Sequence, residues 1–232
     1  MASQNTTLFS ASSKPKLQNS RKLLYERTHV IQPKGEHRAT IVWLHGRGDV
    51  GASWAEEFQE FPSQNIKWIV PTAPMQAITA LGGYQCNAWF DGRPAWEGPD
   101  DLEGLDASAA HVVELLSKES PNIKLGVGGF SQGAATSLYI TACSMIGSYS
   151  DGTIFPCKLH ITAVLSGWFP CAKNIETRFL ENLEAGEQAK GYSIFLAHGT
   201  DDQVVPLNLG EKATFALQFL GFDSITFQTY NG

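Results

Sequence analysis

Long apolar runs are missing from this 232-residue sequence, and so is any excess of positive charge. A membrane-spanning helix needs roughly 18 or more consecutive apolar residues, and no stretch comes near that, so stable membrane insertion is not expected. The formal net charge is −6, and the chain has no basic stripe, which removes the usual electrostatic footing for nucleic-acid binding. Cysteine is scarce. Cys86, Cys143, Cys157 and Cys171 are far apart, with neither a Cys-x-x-Cys pair nor the spacing of a metal site, so reduced thiols in a cytoplasmic protein are expected, with no metal and no cofactor. Acids are absent before Glu26, and the first twenty residues hold no continuous hydrophobic stretch that could serve as a secretory signal. Residues 1–25, rich in Ser, Asn and Lys, have the composition of an organelle transit segment or of a disordered tail, and the tail is the simpler reading.

The remainder, 26–232, reads as one α/β domain. Thr28 to Ile31 and Arg38 to His45 have strand character, with a turn at Pro33-Lys34-Gly35 between them. Ile66 to Val70, Ile123 to Phe130, Ile161 to Gly167, Tyr192 to His198 and Ser224 to Tyr230 are further strands. Helical patterns fall between them at Ser53 to Glu60, Leu105 to Leu116, Gln132 to Ile146, 173–190 and Leu209 to Leu220. This alternation predicts a mainly parallel sheet with helices on both faces. Residues 71–104, with their prolines, glycines and aromatics, are expected to form a long irregular loop of the kind that walls a binding site.

Gly129-Phe130-Ser131-Gln132-Gly133 stands between the strand-like run that ends at Phe130 and the apolar helix that follows. It fits Gly-x-Ser-x-Gly, the turn on which a strand runs straight into a helix and holds a serine hydroxyl at the edge of a sheet. Glycines two residues either side of the serine are needed because the backbones there nearly touch. Two other strand ends carry suggestive residues, His45-Gly-Arg-Gly-Asp49 and His198-Gly-Thr-Asp-Asp-Gln-Val-Val-Pro206. A serine, an acid and backbone donors at neighbouring strand ends are what acyl transfer requires.

With those segments in hand, the chain resembles the acyl-protein thioesterase/carboxylesterase family of small α/β-hydrolases. The stretches that carry the resemblance are Val42-Trp-Leu-His-Gly-Arg-Gly-Asp49, Pro71-Thr-Ala-Pro74, Ala88-Trp-Phe-Asp91, Gly128-Gly-Phe-Ser-Gln-Gly133, Leu165-Ser-Gly-Trp168 and the His198 to Pro206 segment. The resemblance implies an α/β-hydrolase fold and hydrolysis of acyl thioesters or carboxylic esters, with S-acylated proteins or small acyl esters as substrates. It implies Ser131 as nucleophile and Asp202 as the acid that orients the base. The backbone N–H groups of Gln132 and Arg47 would be the oxyanion donors, and Trp89 a wall of the substrate pocket. The family usually has leucine where Arg47 stands, which bears on substrate fit. Aromatic core packing is the alternative for Phe90 and Trp168.

The family's catalytic histidine would fall a few residues beyond the position of Gly232. None of the six histidines of these residues matches it, although His45 and His198 are expected near the site. The resemblance therefore implies a domain whose last loop and helix are missing, whose last strand is left uncovered, and whose activity is impaired. The alternative function is a catalytically silent acyl-binding or regulatory form.

Overall fold

A computed structural model describes residues 23–94 and 99–231. The expected tail at 1–25 lies outside the described residues except for 23–25, and of these Tyr25 is part of the folded unit. Its ring stacks on that of His111 at 3.7 Å between centroids and only 5° from parallel.

Seven strands form the main sheet in the spatial order β1-β3-β2-β6-β7-β8-β9. They are β1 (Thr28–Ile31), β2 (Ala39–Leu44), β3 (Ile66–Pro71), β6 (Lys124–Phe130), β7 (Ile161–Leu165), β8 (Ser193–Gly199) and β9 (Ser224–Tyr230). Only the β1–β3 pairing is antiparallel; the other five are parallel. Although β1 and β2 are consecutive, β3 lies between them. The connection passes across the start of β3, where Lys34 and Gly35 donate to the carbonyls of Ser63 and Gln64.

Side chains alternate across a strand, and β2 shows the two faces this makes. Val42 and Leu44 join the larger core, with residues of α2 (Leu102–Leu116), α3 (Gln132–Ile146), α4 (Ala172–Glu181) and α6 (Leu207–Phe219). Trp43 turns the other way and packs with Ala55 of α1 (Gly51–Glu60), Trp54, Phe58 and Trp68. On that second face Phe130 and Ile161 stay more than one-third exposed. Every residue of α3 is buried, as expected of a helix that is apolar nearly all round and lies against the middle of a sheet.

Two expectations need correction. The 71–104 segment is not wholly irregular, because β4 (Met75–Ile78) and β5 (Tyr84–Asn87) form an antiparallel hairpin joined by a short 3₁₀ turn, Thr79–Leu81. Strands of four residues amid Pro and Gly are too short to show a period. The single polar helix expected over 173–190 is instead α4 followed by α5 (Leu183–Ala189). The chain breaks at Asn182, whose side chain caps α5 through Glu184 N–H and donates to the Ile146 carbonyl at 2.8 Å.

The strand order reverses between β2 and β6: after β2 the chain builds toward β1, then returns to the far side of β2 and continues to β9. In open α/β sheets, crevices for ligands form outside the carboxyl ends of strands at such a switch point. The segments that follow β2 and β6 begin at His45 and Ser131.

Candidate active site

Ser131 sits in the turn from β6 to α3 with φ 53° and ψ −115°, a backbone conformation that is costly for a residue with a β-carbon. The turn is held by Ser131 N–H donating to Leu165 O at 2.9 Å and by Ala135 N–H donating to Ser131 O at 3.0 Å. The crowding expected at the flanking glycines is present. A β-carbon on Gly129 would lie 2.5 Å from Leu44 O and 2.6 Å from the carbonyl carbon of Gly133. Gly133 is tighter still, at 2.0 Å from Leu44 O. The elbow therefore packs backbone to backbone against the end of β2.

A cleft of about 270 Å³ opens over this turn, lined by Gly46, Arg47, Asp49, Pro94, Phe130, Ser131, Gln132, Trp168, Asp202, Val204 and Val205. Four of the five expected site residues thus share one space. Among the described residues neither Arg47 N–H nor Gln132 N–H donates a hydrogen bond within the protein, and Gln132 opens a helix, where the first N–H groups point outward and favour negative charge. The Arg47 guanidinium reaches across to Gly92 O at 3.4 Å. A larger cavity of about 380 Å³ lies on the other side of Trp168, between Phe90 and α6, and contains none of these residues.

The Asp202 carboxylate is fixed by its own loop. Its Oδ1 accepts from Val204 N–H and Val205 N–H, both at 2.9 Å. Burial pushes the Asp202 carboxyl up, but those two bonds, the Ser166 hydroxyl and His198 outweigh it and hold the group below the usual carboxylate range. Ser166, at the end of β7, has a positive φ of 49°, so it meets Asp202 from a second strained turn. In the sequence Ser166 stands only within the Leu165-Ser-Gly-Trp168 stretch, with nothing there to mark this contact. A non-glycine residue in the left-handed region leaves no mark in a sequence.

Trp89 departs from expectation. It is fully buried and lines neither cavity, so it supports the site from below rather than walling it. Its N–H donates to Gln132 Oε1 at 3.0 Å, its indole Nε1–H to His45 O at 2.8 Å, and its carbonyl accepts from Ser108 Oγ at 2.6 Å. Gln132 Nε2 in turn donates to Phe90 O at 2.9 Å. The aromatics that do line these cavities are Phe130 and Trp168 at the serine, and Phe90, Trp168 and Phe169 in the larger space.

The histidines near the site are both committed elsewhere. His45 is buried; its Nε2 accepts from Ala73 N–H at 3.0 Å, so the proton is on Nδ1, which donates to Gly46 O at 2.7 Å. Burial is the largest influence on this imidazole and lowers its pKa against the opposing pull of Gly46 O, Asp49 and Glu26. His198 donates from Nε2 to Val205 O at 2.6 Å and lies 3.8 Å from Asp202 Oδ2, beyond hydrogen-bond range. Its Nδ1 is packed against Gly210, where a β-carbon would approach to 2.5 Å. His37 bonds Thr40 and His160 bonds Leu125 N–H, while His111 stacks on Tyr25 and His29 pairs with Val70 on β3. Among the described residues no histidine is hydrogen-bonded to Ser131.

The phospholipase/carboxylesterase family model matches residues 25–232. The chain belongs to this family. Membership makes it a carboxylic ester or thioester hydrolase by family, on the α/β-hydrolase fold. Acyl-protein thioesterase 1 homolog 1 of Dictyostelium discoideum is 33% identical over 221 residues, covering 91% of this chain and 86% of that protein. Acyl-protein thioesterase 1 of Debaryomyces hansenii is 31% identical, with 84% and 83% covered. The crystal structure of Zea mays acyl-protein thioesterase 2 is 49% identical and superposes with a TM-score of 0.87 over 90% of each chain. Among the described residues no helix is long and apolar enough to cross a membrane, and no group of three His, Cys, Asp or Glu is placed to hold a metal ion. All four cysteines are unpaired.

Proposed function

We propose that the chain cleaves acyl thioesters, with S-acylated proteins as the principal substrates and small acyl esters as secondary ones, through an acyl-enzyme on Ser131. The observation that carries this reading is the shared cleft, which Ser131, Asp202, Arg47 and Gln132 line together while the N–H groups of Arg47 and Gln132 stay unspent within the described residues. In the proposed reaction Ser131 Oγ attacks the acyl carbonyl, and the developing oxyanion takes hydrogen bonds from Arg47 N–H and Gln132 N–H. The sulfur then leaves, taking up the proton given up by the serine hydroxyl to depart as a thiol, and water releases the acid from the serine ester and returns a proton to Ser131 Oγ. Asp202, held ionised by its loop, is suited to orienting an imidazole and stabilising its charge. The names of the relatives support the choice of protein thioesters, and the unpaired cysteines suit a reducing, cytoplasmic setting.

The commitments of His45 and His198 favour a second reading for the polypeptide of these 232 residues. With no imidazole to take its proton, Ser131 is a weak nucleophile. In subtilisin, loss of the histidine alone costs on the order of 10⁶ in kcat, and the oxyanion hole and binding retain about 10³–10⁴ over water. This polypeptide would then bind acyl groups and turn them over slowly.

A fluorophosphonate probe separates the two readings. Labelling at Ser131 within minutes, abolished in Ser131→Ala, together with release of acid from a palmitoylated peptide, is the outcome for the hydrolase. Absence of both, with retained binding of the palmitoylated peptide, is the outcome for the silent form.

A further inference from the structure

We infer that Trp89 is a positioning residue that sets the spacing between the two proposed oxyanion donors. The inference rests on the assignment of Arg47 N–H and Gln132 N–H to that role.

An oxyanion hole works only if both donors lie about 2.7–3.1 Å from one point. Here they come from different strands. β2 and β6 are registered as far as Leu44 and Gly129, but Arg47 and Gln132 lie beyond that last pair, where Gly133 packs against Leu44 and His45 O and no ladder of hydrogen bonds continues. Trp89 spans the gap with two donors. The indole N–H holds His45 O, two residues before Arg47, and the main-chain N–H holds the Gln132 side chain. Gln132 returns a bond to Phe90 O, closing the link.

The bridge is itself braced. Ser108 Oγ on α2 fixes the Trp89 carbonyl at 2.6 Å, and the rings of His45 and Tyr25 lie 5.1 and 6.5 Å from the indole. Any residue at 89 could make the main-chain half. The half that reaches His45 O is made by a donor-only N–H set within a buried bicyclic ring, which among the common side chains only tryptophan supplies. A pure packing role makes a different prediction: phenylalanine would keep much of the apolar contact, and any loss would spread over the whole domain.

The test compares the wild-type chain with Trp89→Phe by amide hydrogen exchange. Gly48 N–H, bonded to Asn87 O, and Asp49 N–H, bonded to Gly46 O, report on the donor loop. Val42 and Val127 report on the sheet. Exchange at least tenfold faster at Gly48 and Asp49, with Val42 and Val127 unchanged, is the expected result. Unchanged exchange in the loop, or equal acceleration of loop and strands, overturns the inference.

A second arm follows fluorophosphonate labelling. If wild type is labelled at Ser131, the maximal labelling rate should fall about tenfold in Trp89→Phe at unchanged half-saturation, and an unchanged rate overturns the inference. If wild type is not labelled, the hydrolase reading fails in favour of the silent form, while the exchange arm still decides whether Trp89 ties the loops together. Should Trp89→Phe not fold, benzothienylalanine at position 89, which keeps the shape and lacks the N–H, gives the same comparison.

Discussion

The α-carbon of Gly133 lies so close to the end of β2 that a β-carbon there would meet Leu44 O at 2.0 Å. The obstacle is backbone on a central strand, which cannot swing aside as a side chain would. Overpacking of a core costs typically 1–3 kcal/mol, and more where nothing yields. Gly133→Ala is therefore expected to lose about 3 kcal/mol or more in denaturant melts, with labelling of Ser131 lost as well. Gly152 provides the contrast. Its φ is +82° but a β-carbon would meet nothing within 4 Å, so Gly152→Ala should cost only the left-handed backbone term, about 1–2 kcal/mol, and leave labelling unchanged. Equal costs for the two variants would contradict the crowding argument.

Crowding at the elbow was legible in the sequence because Gly-x-Ser-x-Gly is a local pattern with a local cause. The same holds for β6 and α3, which are apolar almost throughout, and for β9, whose apolar Ile225 and Phe227 alternate with polar residues. Three features were not legible, each for a non-local reason. The position of β3 between β1 and β2 depends on pairing that no segment encodes by itself. The β4–β5 hairpin has strands too short for a period. Trp89 carries a motif that says it matters, but its two donors find Gln132 Oε1 and His45 O, 43 and 44 residues away in sequence, only once the sheet has assembled.

The backbone at Ser131 gives a prediction with opposite signs for stability and function. Strained residues of this kind store about 1–3 kcal/mol, which glycine releases and alanine does not. Glycine gives back part of that gain through the freedom of its unfolded chain, about 1 kcal/mol. Ser131→Gly should be as stable as Ser131→Ala or more stable, by up to about 2 kcal/mol, while neither variant is labelled. A glycine variant clearly less stable than the alanine variant would show that the turn is not strained.

His45 should behave as a structural residue. His45→Ala deprives Ala73 N–H of its acceptor and Gly46 O of its donor in a buried site. Each unsatisfied group costs about 1–3 kcal/mol, so a large fall in melting temperature is expected. His198→Gln keeps a donor of similar reach toward Val205 O and should cost less. For both variants, labelling of Ser131 per folded molecule should keep the pH dependence of wild type. A change in that dependence confined to one of them would mark that histidine as the base.

Asp202 links the site to acid stability. Its carboxyl titrates below the usual range in the folded chain, and the unfolded reference is about 3.9. A depressed folded-state pKa contributes stability that is fully present above the unfolded value and is lost as pH falls through the folded value. The stability difference between wild type and Asp202→Asn should therefore be constant near neutrality and shrink only below about pH 4. Ser166 is one of the groups that hold the carboxylate against the opposing effect of burial, so Ser166→Ala should move the Asp202 midpoint upward, read from the side-chain carboxyl carbon in a titration followed by NMR. The Val204 and Val205 N–H bonds remain in that variant, so the shift should be partial. A midpoint that stays where it is, or moves down, would mean that the loop alone holds Asp202 ionised and that the strained turn at Ser166 serves only the end of β7.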